Sequence, residues 1–241
     1  MMKKKISCKT CGTLECIIKR NISAQWIDVF DSSKQQVRYK EEELIIKQGD
    51  IVGGMYFILQ GNVKVVVNGY HDREQIVRLA TDGNILGHCG QVNETYPISA
   101  IAITPSIICF VDNTTMHDIL MKNSQLLYAL MMFYSRKLRK TELRMKYLGQ
   151  MNVREKIAEA LLYINVVFGT SHNDATLNIG SCREVIACLT GTNPDQVTKQ
   201  LKDFENEKLV VKLKRRIKLV NPMGLENIVR YFGIDELFKQ Q

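Results

Sequence analysis

Three cysteines lie close together near the start of the chain, and their spacing suits metal binding or thiol redox chemistry. Cys8, Cys11 and Cys16 fall within nine residues, and Cys109 is a fourth, remote cysteine between apolar neighbours. Four thiolates can hold a [4Fe–4S] cluster or a tetrahedral zinc ion. These four cysteines are therefore candidate ligands. The alternatives are a zinc or thiol redox site, or cysteines that only pack in the core.

The other cysteines carry weaker signals. Cys182 and Cys188 lie in or beside a predicted helix and are interpreted as packing residues, whereas Cys89 is a reserve ligand. The first residues, Met1 to Lys5, lead into cysteines rather than an apolar signal core, and no run approaches the ~20 apolar residues of a membrane span. We therefore expect a cytoplasmic protein without membrane contact, whose cysteines do not form a disulfide framework.

The segment from residue 181 to residue 205 has the pattern of two helices that meet at a glycine. Apolar residues at helical spacing predict a first helix from Arg183, and Gly191 marks a tight turn. Asn193 then caps a second helix whose first position is Pro194, where a missing N–H costs nothing. The exposed side of this helix carries short polar groups and a cation, as a helix in the DNA major groove does. A generic helical hairpin would have the same spacing.

A basic segment that follows directly favours DNA binding. Five cations crowd a predicted hairpin: Lys212, Lys214, Arg215, Arg216 and Lys218. Alternate apolar residues are expected to attach the hairpin to a core: Val211, Leu213, Ile217 and Leu219. Such cations mainly contact phosphates, so the segment predicts a winged helix-turn-helix that binds double-stranded DNA. The candidate DNA-binding residues are Arg183, Thr192, Asn193, Asp195, Gln196, Thr198, Lys199, Lys202, Lys214, Arg215 and Arg216.

Short β-prone runs lie between residues 41 and 112. Turn residues separate them roughly every 8 to 12 residues, a spacing typical of sandwiches and barrels. Val63, Val65 and Val67 share one face by the two-residue period, and a tight hairpin turn is expected at Asn68 and Gly69. The simplest architecture is a double-sheet jelly roll.

A helical pattern with a seven-residue repeat extends from about Asp118 to Gly149. A helix of that length spans about 45 Å, which is more than one small β domain can cover, so a second copy of the helix is the expected partner. We therefore expect a parallel homodimer, and the alternative is a helix packed only on its own chain. The candidate seam residues are Leu127, Met131, Tyr134, Leu138, Met145 and Leu148.

Composition agrees with this organisation. The 241 residues are 45% hydrophobic and 24% charged, and 33 basic against 25 acidic residues give a net charge of +8, which favours a polyanionic partner. We expect an α+β protein with a jelly-roll sensory domain, a long dimerisation helix and a winged helix-turn-helix domain. The expected segments are a cysteine-containing start (1–22), the β-roll (23–116), the dimerisation helix (117–149) and the DNA-binding domain (150–241).

This order of parts resembles the CRP/FNR family of bacterial transcription regulators. Gly49 and Asp50, followed by the run from Tyr56 to Lys64, are similar to the family's early strands, and Gly191 to Glu205 is similar to its recognition unit. The resemblance implies a dimeric, sequence-specific DNA-binding regulator that is controlled at its sensory domain and contacts RNA polymerase.

The resemblance also assigns individual roles on the second helix. It places Asp195, Thr198 and Lys199 at base-reading positions, while Pro194 departs from the arginine of some members.

The cassette that binds cyclic nucleotide in some family members is altered here. Its spacing is kept, but Ile98 stands where an arginine would neutralise the phosphate and His88 stands where a glutamate would take the ribose hydroxyl. The resemblance therefore implies that cyclic AMP is not the effector and that another small ligand, or none, binds. The cassette residues are Gly87, His88, Cys89, Ile98, Ser99 and Ala100.

The cysteine pattern is closest to the oxygen-responsive FNR branch of the family. That branch carries three N-terminal cysteines and one on a late strand, which implies a [4Fe–4S] cluster at Cys8, Cys11, Cys16 and Cys109, although the third spacing is one residue shorter here. No phosphate-binding glycine loop, nucleophile elbow or His-rich metal motif indicates an enzyme. The alternative function is a ligand-binding regulatory module that acts through a protein partner.

Overall fold

The computed structural model describes residues 5–69, 73–88, 90, 94–171, 174–180 and 182–233. These residues form two compact units. The first comprises the described residues up to Arg73 together with Val77–Arg136, and the second comprises Glu74–Ile76 and the described residues from Lys137 onward. Cys89 of the predicted cassette lies outside the described residues.

Two four-stranded sheets build the β-roll, as the jelly-roll prediction requires. Their strands are Gln35–Tyr39 (β1), Leu44–Ile46 (β2), Gly54–Gln60 (β3), Val63–Asn68 (β4), Glu74–Ala80 (β5), Ile85–Leu86 (β6), Ser99–Ala102 (β7) and Ser106–Asp112 (β8). One sheet has the order β1-β8-β3-β6 and the other β2-β7-β4-β5. Apolar side chains from both sheets, including Ile58, Val65 and Ile108, form one core cluster. The predicted α+β fold class is confirmed.

The sheet that contains β3 and β8 also buries its second face. Cys109 and Val111 of β8 alternate with Ile108 and pack with Phe57 of β3 in a second core cluster. Helices Ile17–Asn21 (α1) and Ala24–Ser33 (α2) cover this face. Strand β8 thus contributes to both cores, with Ile108 on one side of the sheet and Cys109 and Val111 on the other.

The long helix begins later than the sequence indicates. Residue 117 belongs to a separate helix, Asn113–Met121 (α3), and the long helix spans Ser124–Gln150 (α4). Asn123 makes the break, because its buried amide donates to the Ile119 carbonyl at 2.7 Å while its oxygen accepts from the Ser23 hydroxyl at 2.6 Å. A side chain that bonds back to its own helix competes with helix continuation.

The hairpin between β4 and β5 is also longer than predicted. The tight turn expected at Asn68 and Gly69 is not formed there, because β5 begins at Glu74 and the Gly69 amide donates to the Arg73 carbonyl at 2.9 Å. Gly69 does not have a positive φ, which a primed two-residue turn would require there.

The second unit is mainly helical. Its further elements are Val153–Phe168 (α5), Cys182–Thr190 (α6), Pro194–Asn206 (α7), Val210–Leu213 (β9), Arg216–Leu219 (β10), Pro222–Val229 (α8) and a short 3₁₀ helix, Arg230–Phe232. A capping box starts α5, in which the Asn152 side chain accepts from the Glu155 amide and Glu155 accepts from the Asn152 amide. No helix in the described part of the chain is long and apolar enough to cross a membrane.

The prediction of which side of strand β9 is buried is wrong. Ile217 and Leu219 of β10 are buried as expected, but Val211 and Leu213 of β9 are exposed and Val210 is buried instead. The register explains the error, because directly opposed residues share a face and Val210 is paired with Leu219. The apolar pattern of β9 therefore predicted burial of the side that is in fact exposed.

Candidate functional site

A helix-turn-helix forms where the sequence predicts it. Gly191 between α6 and α7 has φ +64, a left-handed conformation that glycine adopts without a steric penalty. The Asn193 side chain accepts from the Asp195 amide at 2.8 Å, and Pro194 occupies the first turn of α7. Buried apolar residues then attach α7 to the unit: Val197, Leu201 and Phe204.

The opposite side of α7 is polar and accessible. All candidate DNA-binding residues are described, and all except the half-buried Thr192 are exposed. Thr198 donates its hydroxyl to the Pro194 carbonyl at 2.9 Å, while the side chains of Gln196 and Lys199 project from the exposed side. A groove separates this helix from the hairpin, and its lining includes Arg183, Thr198, Lys214, Arg215 and Arg216.

Ion pairs fix the C-terminal end of α7 and the hairpin beside it. Glu205 pairs with Lys212 of β9 at 3.2 Å, and Glu207 accepts two hydrogen bonds from Arg154 of α5, at 2.6 and 2.8 Å. Lys214, Arg215 and Arg216 stay exposed at the hairpin tip, whereas Lys218 of β10 is half-buried. An exposed polar helix flanked by cations can approach bases and phosphates at the same time.

The cassette positions are occupied by contacts within the protein. His88 Nε2 lies 3.1 Å from a carboxylate oxygen of Glu94, and the buried Ser99 hydroxyl accepts from the Gln48 amide at 2.9 Å. The buried Tyr96 ring packs against Gly87, and its hydroxyl donates to the Gly54 carbonyl at 2.8 Å. Ala100 is fully buried and Ile98 is half-buried.

The four candidate cysteines gather on the helix-covered face of the β-roll. Cys8 and Cys109 belong to the second core cluster and Cys16 packs against it. Cys11 is buried and lies near Cys16 and Cys109. This cluster also contains Leu126 and Leu130, from the first turns of α4. The thiols therefore lie beside the start of the long helix.

Burial dominates the chemistry of these thiols. It raises the pKa of Cys8 to about 11, and it also raises the pKa of Cys16 and Cys109. The Lys34 side chain is only 1% exposed, and its ammonium donates to Cys8 Sγ at 2.9 Å. As the side chains stand, no three His, Cys, Asp or Glu residues in the described part of the chain form a group that could hold a metal ion.

Exposed apolar residues follow one side of α4. Leu127, Met131, Leu138 and Met145 are each between 45% and 73% exposed, whereas Tyr134 and Leu148 are half-buried. Tyr134 instead packs on the second core cluster and its hydroxyl donates to the Gly87 carbonyl at 3.3 Å. The four exposed residues form an apolar stripe on the helix.

Sequence reasoning missed the polar residues around the thiols. Asp31, Lys34 and Gln36 contact the cysteine segment, yet the first two lie on or next to α2 and the third on β1. A single Asp, Lys or Gln in such a position forms no sequence motif with the cysteines, because each of these contacts joins residues more than twenty positions apart.

Two family models define the class of the protein. Residues 36–123 match the cyclic nucleotide-binding domain, and residues 155–228 match the Crp-like helix-turn-helix domain. The chain belongs to the CRP/FNR family of transcriptional regulators, as its sequence predicted, and this family does not consist of enzymes.

Individual relatives agree with this assignment. The chain is 23% identical over 222 residues to the transcriptional activator protein Anr of Pseudomonas protegens, with 90% of each chain covered. It is 23% identical over 175 residues to the cAMP-activated global transcriptional regulator CRP of Salmonella typhimurium, with 72% of this chain and 83% of that one covered. FixK2 from Bradyrhizobium japonicum shares the fold, with a TM-score of 0.70 at 19% identity over 81% of this chain and 96% of that one.

Proposed function

We propose that this regulator acts as a homodimer on a specific double-stranded DNA site, and that oxygen or redox state controls its affinity for that site. The main support for DNA binding is the exposed polar side of α7, which lies beside the cationic hairpin. RNA polymerase is the proposed protein partner at the promoter.

The residues of the DNA interface divide into two roles. Asp195, Thr198 and Lys199 on the exposed side of α7 read base edges, and Lys199 can donate to the O6 and N7 acceptors of a guanine. The tip cations, Lys214 to Arg216, bind phosphates and fix the register of the helix in the groove without reading sequence. Arg183 lines the same groove.

The apolar stripe of α4 supports the homodimer. Exposed leucine and methionine side chains repeat every seven residues at Met131, Leu138 and Met145, which is the pattern that a second parallel helix covers. Two copies would present their recognition helices to half-sites about 34 Å apart, one turn of DNA.

A salt-dependent gel shift tests DNA binding. A partially palindromic duplex should bind more tightly than a random duplex of equal length, and both affinities should fall as salt rises because phosphate contacts release counterions. Absence of any affinity for duplex DNA would contradict the proposal and favour a regulatory module that acts through a protein partner.

The thiol site is the proposed sensor. Cys8, Cys16 and Cys109 lie in or against the second core cluster, Cys11 lies near Cys16 and Cys109, and the buried Lys34 ammonium contacts Cys8. This donor set fits the chemistry of a thiolate-ligated iron–sulfur cluster, whose negative charge the Lys34 ammonium would offset. Cys8, Cys11, Cys16 and Cys109 would hold the cluster after their side chains rotate toward one another. When bound, the cluster supplies an oxygen-labile iron centre. The surrounding core residues exclude water from the thiols.

Metal content under nitrogen tests the sensor. Protein purified without oxygen should be brown, contain about four irons per chain and bind its DNA site more tightly than protein exposed to air. Cys11→Ser should abolish the colour and the oxygen dependence, whereas Cys182→Ser, which alters a buried thiol of the second unit, should leave both unchanged. A colourless, iron-free protein with equal affinity in air and under nitrogen would overturn the cluster, and bound zinc would indicate a zinc site instead.

A further inference from the structure

We propose that Asp31 and Lys34 form a clasp that positions Cys8 and keeps residues 6–8 ordered when the thiol site holds no metal. The clasp consists of polar contacts between the N-terminal segment and the C-terminal end of α2, and none of these contacts requires a bound ligand. This inference rests on those contacts and does not depend on the proposed response to oxygen.

Asp31 forms one half of the clasp. Its carboxylate accepts from the Cys8 amide at 2.8 Å and from the Ser7 hydroxyl at 2.7 Å. It also pairs with the Lys34 ammonium at 2.6 Å. Donors from Ser7, Cys8 and Lys34 therefore converge on one carboxylate, and charge-assisted hydrogen bonds of this kind are stronger than neutral ones.

Lys34 forms the other half. Its ammonium donates to the Ile6 carbonyl and to Cys8 Sγ, both at 2.9 Å, and pairs with Asp31 at 2.6 Å. A lysine that is 1% exposed is rarely found without such partners, because an unpaired buried charge is strongly destabilising. Each of the three donor positions of the ammonium therefore has an acceptor, and two of the three acceptors belong to the cysteine segment.

Gln36 of β1 completes the arrangement. Its side-chain oxygen accepts from the Ile6 amide at 2.8 Å, and its amide nitrogen donates to the Ile6 carbonyl at 2.9 Å and to Cys109 Sγ at 3.5 Å. The segment is thus tied to α2 and to the strand that pairs with the Cys109 strand. Only the bonds to Cys8 Sγ and Cys109 Sγ involve the proposed ligand atoms. The other bonds end on backbone atoms of residues 6 and 8 or on the Ser7 hydroxyl, so they do not require a metal.

The clasp has a consequence for signalling. If metal ligation alone ordered the N-terminal segment, losing the metal would release it. With the clasp in place, Cys8 stays beside Lys34 in metal-free protein, so the site is preorganised for reloading and the segment does not act as a free tail.

Hydrogen–deuterium exchange of the full-length, metal-free protein tests this inference. In the wild-type protein, the amides of Ile6 and Cys8 should be protected, and Asp31→Asn should increase their exchange about tenfold or more. Asp28→Asn is the matched control, since Asp28 lies on the same helix but pairs with Lys9 in solvent, where the two side chains are 67% and 59% exposed. This control should exchange like the wild type.

Two further variants separate positioning from general stability. Lys34→Met should deprotect the segment and speed alkylation of Cys8 by N-ethylmaleimide, whereas Lys34→Arg should restore most of the protection because it keeps a cationic donor. Peptides from β3 report whether the β-roll stays intact. If they show that Lys34→Met unfolds the unit, Ser7→Ala takes its place: it removes one bond and should give a smaller increase in the exchange of residues 6–8. Rapid exchange of residues 6–8 in the wild type, or no effect of Asp31→Asn, would overturn the clasp.

Discussion

The recognition helix and the cassette both keep the spacing of their family, but they treat their polar groups in opposite ways. On α7, Gln196 and Lys199 extend into solvent from a helix whose other side is buried. In the cassette, His88 contacts Glu94 and the Ser99 hydroxyl accepts from a backbone amide. The polar groups on α7 are free to contact an external partner without rearrangement. The polar groups of the cassette already have hydrogen-bond partners within the protein.

This difference indicates which part of an inherited arrangement is still used for binding. A ligand must replace any hydrogen bond that it displaces, so a cassette whose polar groups already bond to the protein offers little net gain. The exposed groups of α7 lose only water on binding. We infer that DNA recognition is retained while the cyclic-nucleotide input is not.

Loss of the dimer should produce the largest effect. Leu138→Glu places a charge in the apolar stripe, so the variant should sediment as a monomer at micromolar concentration and lose most of its affinity for a palindromic site. Arg136→Glu introduces the same charge on the opposite side of α4 and should remain dimeric. A Leu138→Glu variant that still sediments as a dimer would show that the stripe is not the interface.

Readout by α7 should give the next largest effect. Lys199→Ala should weaken binding to the specific site by about 1 to 3 kcal/mol and weaken binding to random DNA less. Arg215→Ala should weaken both by similar amounts, because it loses a phosphate contact. Titrations of both variants on both duplexes measure the two ratios, and equal losses for Lys199→Ala would remove it from the base-reading residues.

A smaller effect should appear in the pH dependence of the second unit. Glu159 on α5 is buried, and burial raises its pKa above the ordinary value of 4.5 although Arg144 partly opposes the shift. A raised folded-state pKa contributes stability that is fully present below the unfolded value and is lost as pH rises through the folded value. Glu159→Gln should remove this loss and raise the melting temperature near neutral pH.

Thermal scans between about pH 5 and about pH 8 measure this effect. Circular dichroism follows both units, while the fluorescence of Trp26, the sole tryptophan, reports on the first unit. Glu226→Gln is the control, because Glu226 is an exposed carboxylate of the second unit. An unchanged pH profile for Glu159→Gln would contradict the assignment.

Cyclic AMP should have no effect at all. A ligand at one hundred times its Kd stabilises a protein by about 2.7 kcal/mol, which a melting curve detects easily. Millimolar cyclic AMP should leave the melting temperature unchanged in the wild type and in Ile98→Arg, because the Tyr96 ring and the His88–Glu94 contact remain in the cassette. A saturable rise in melting temperature would mean that the cassette still binds its nucleotide.

Local signals made the second unit predictable. Gly191, Asn193 and Pro194 each act within a few residues, so their turn and cap could be read directly from the sequence. The face of β9 was not predictable, because Val210 and Val211 are equally apolar and only the pairing with β10 decides which is buried.

Long-range contacts limited prediction in the first unit. The break at Asn123 depends on a partner one hundred residues away, Ser23, and the clasp at Lys34 depends on Ile6 and Cys8. The cysteine spacing indicated which thiols to compare, but it carried no information about the charged groups around them.

At the tip of the β9–β10 hairpin, the residue that suits the backbone conformation differs from the residue that supplies a positive charge. Lys214 has φ +51, a left-handed conformation that costs a residue with a side chain about 1 to 2 kcal/mol relative to its usual backbone. Glycine would relieve that strain, but it would remove a cation proposed to contact phosphate. Selection for thermal stability alone would therefore favour glycine at this position and weaken DNA binding, so the hairpin tip is a site of trade-off between stability and activity.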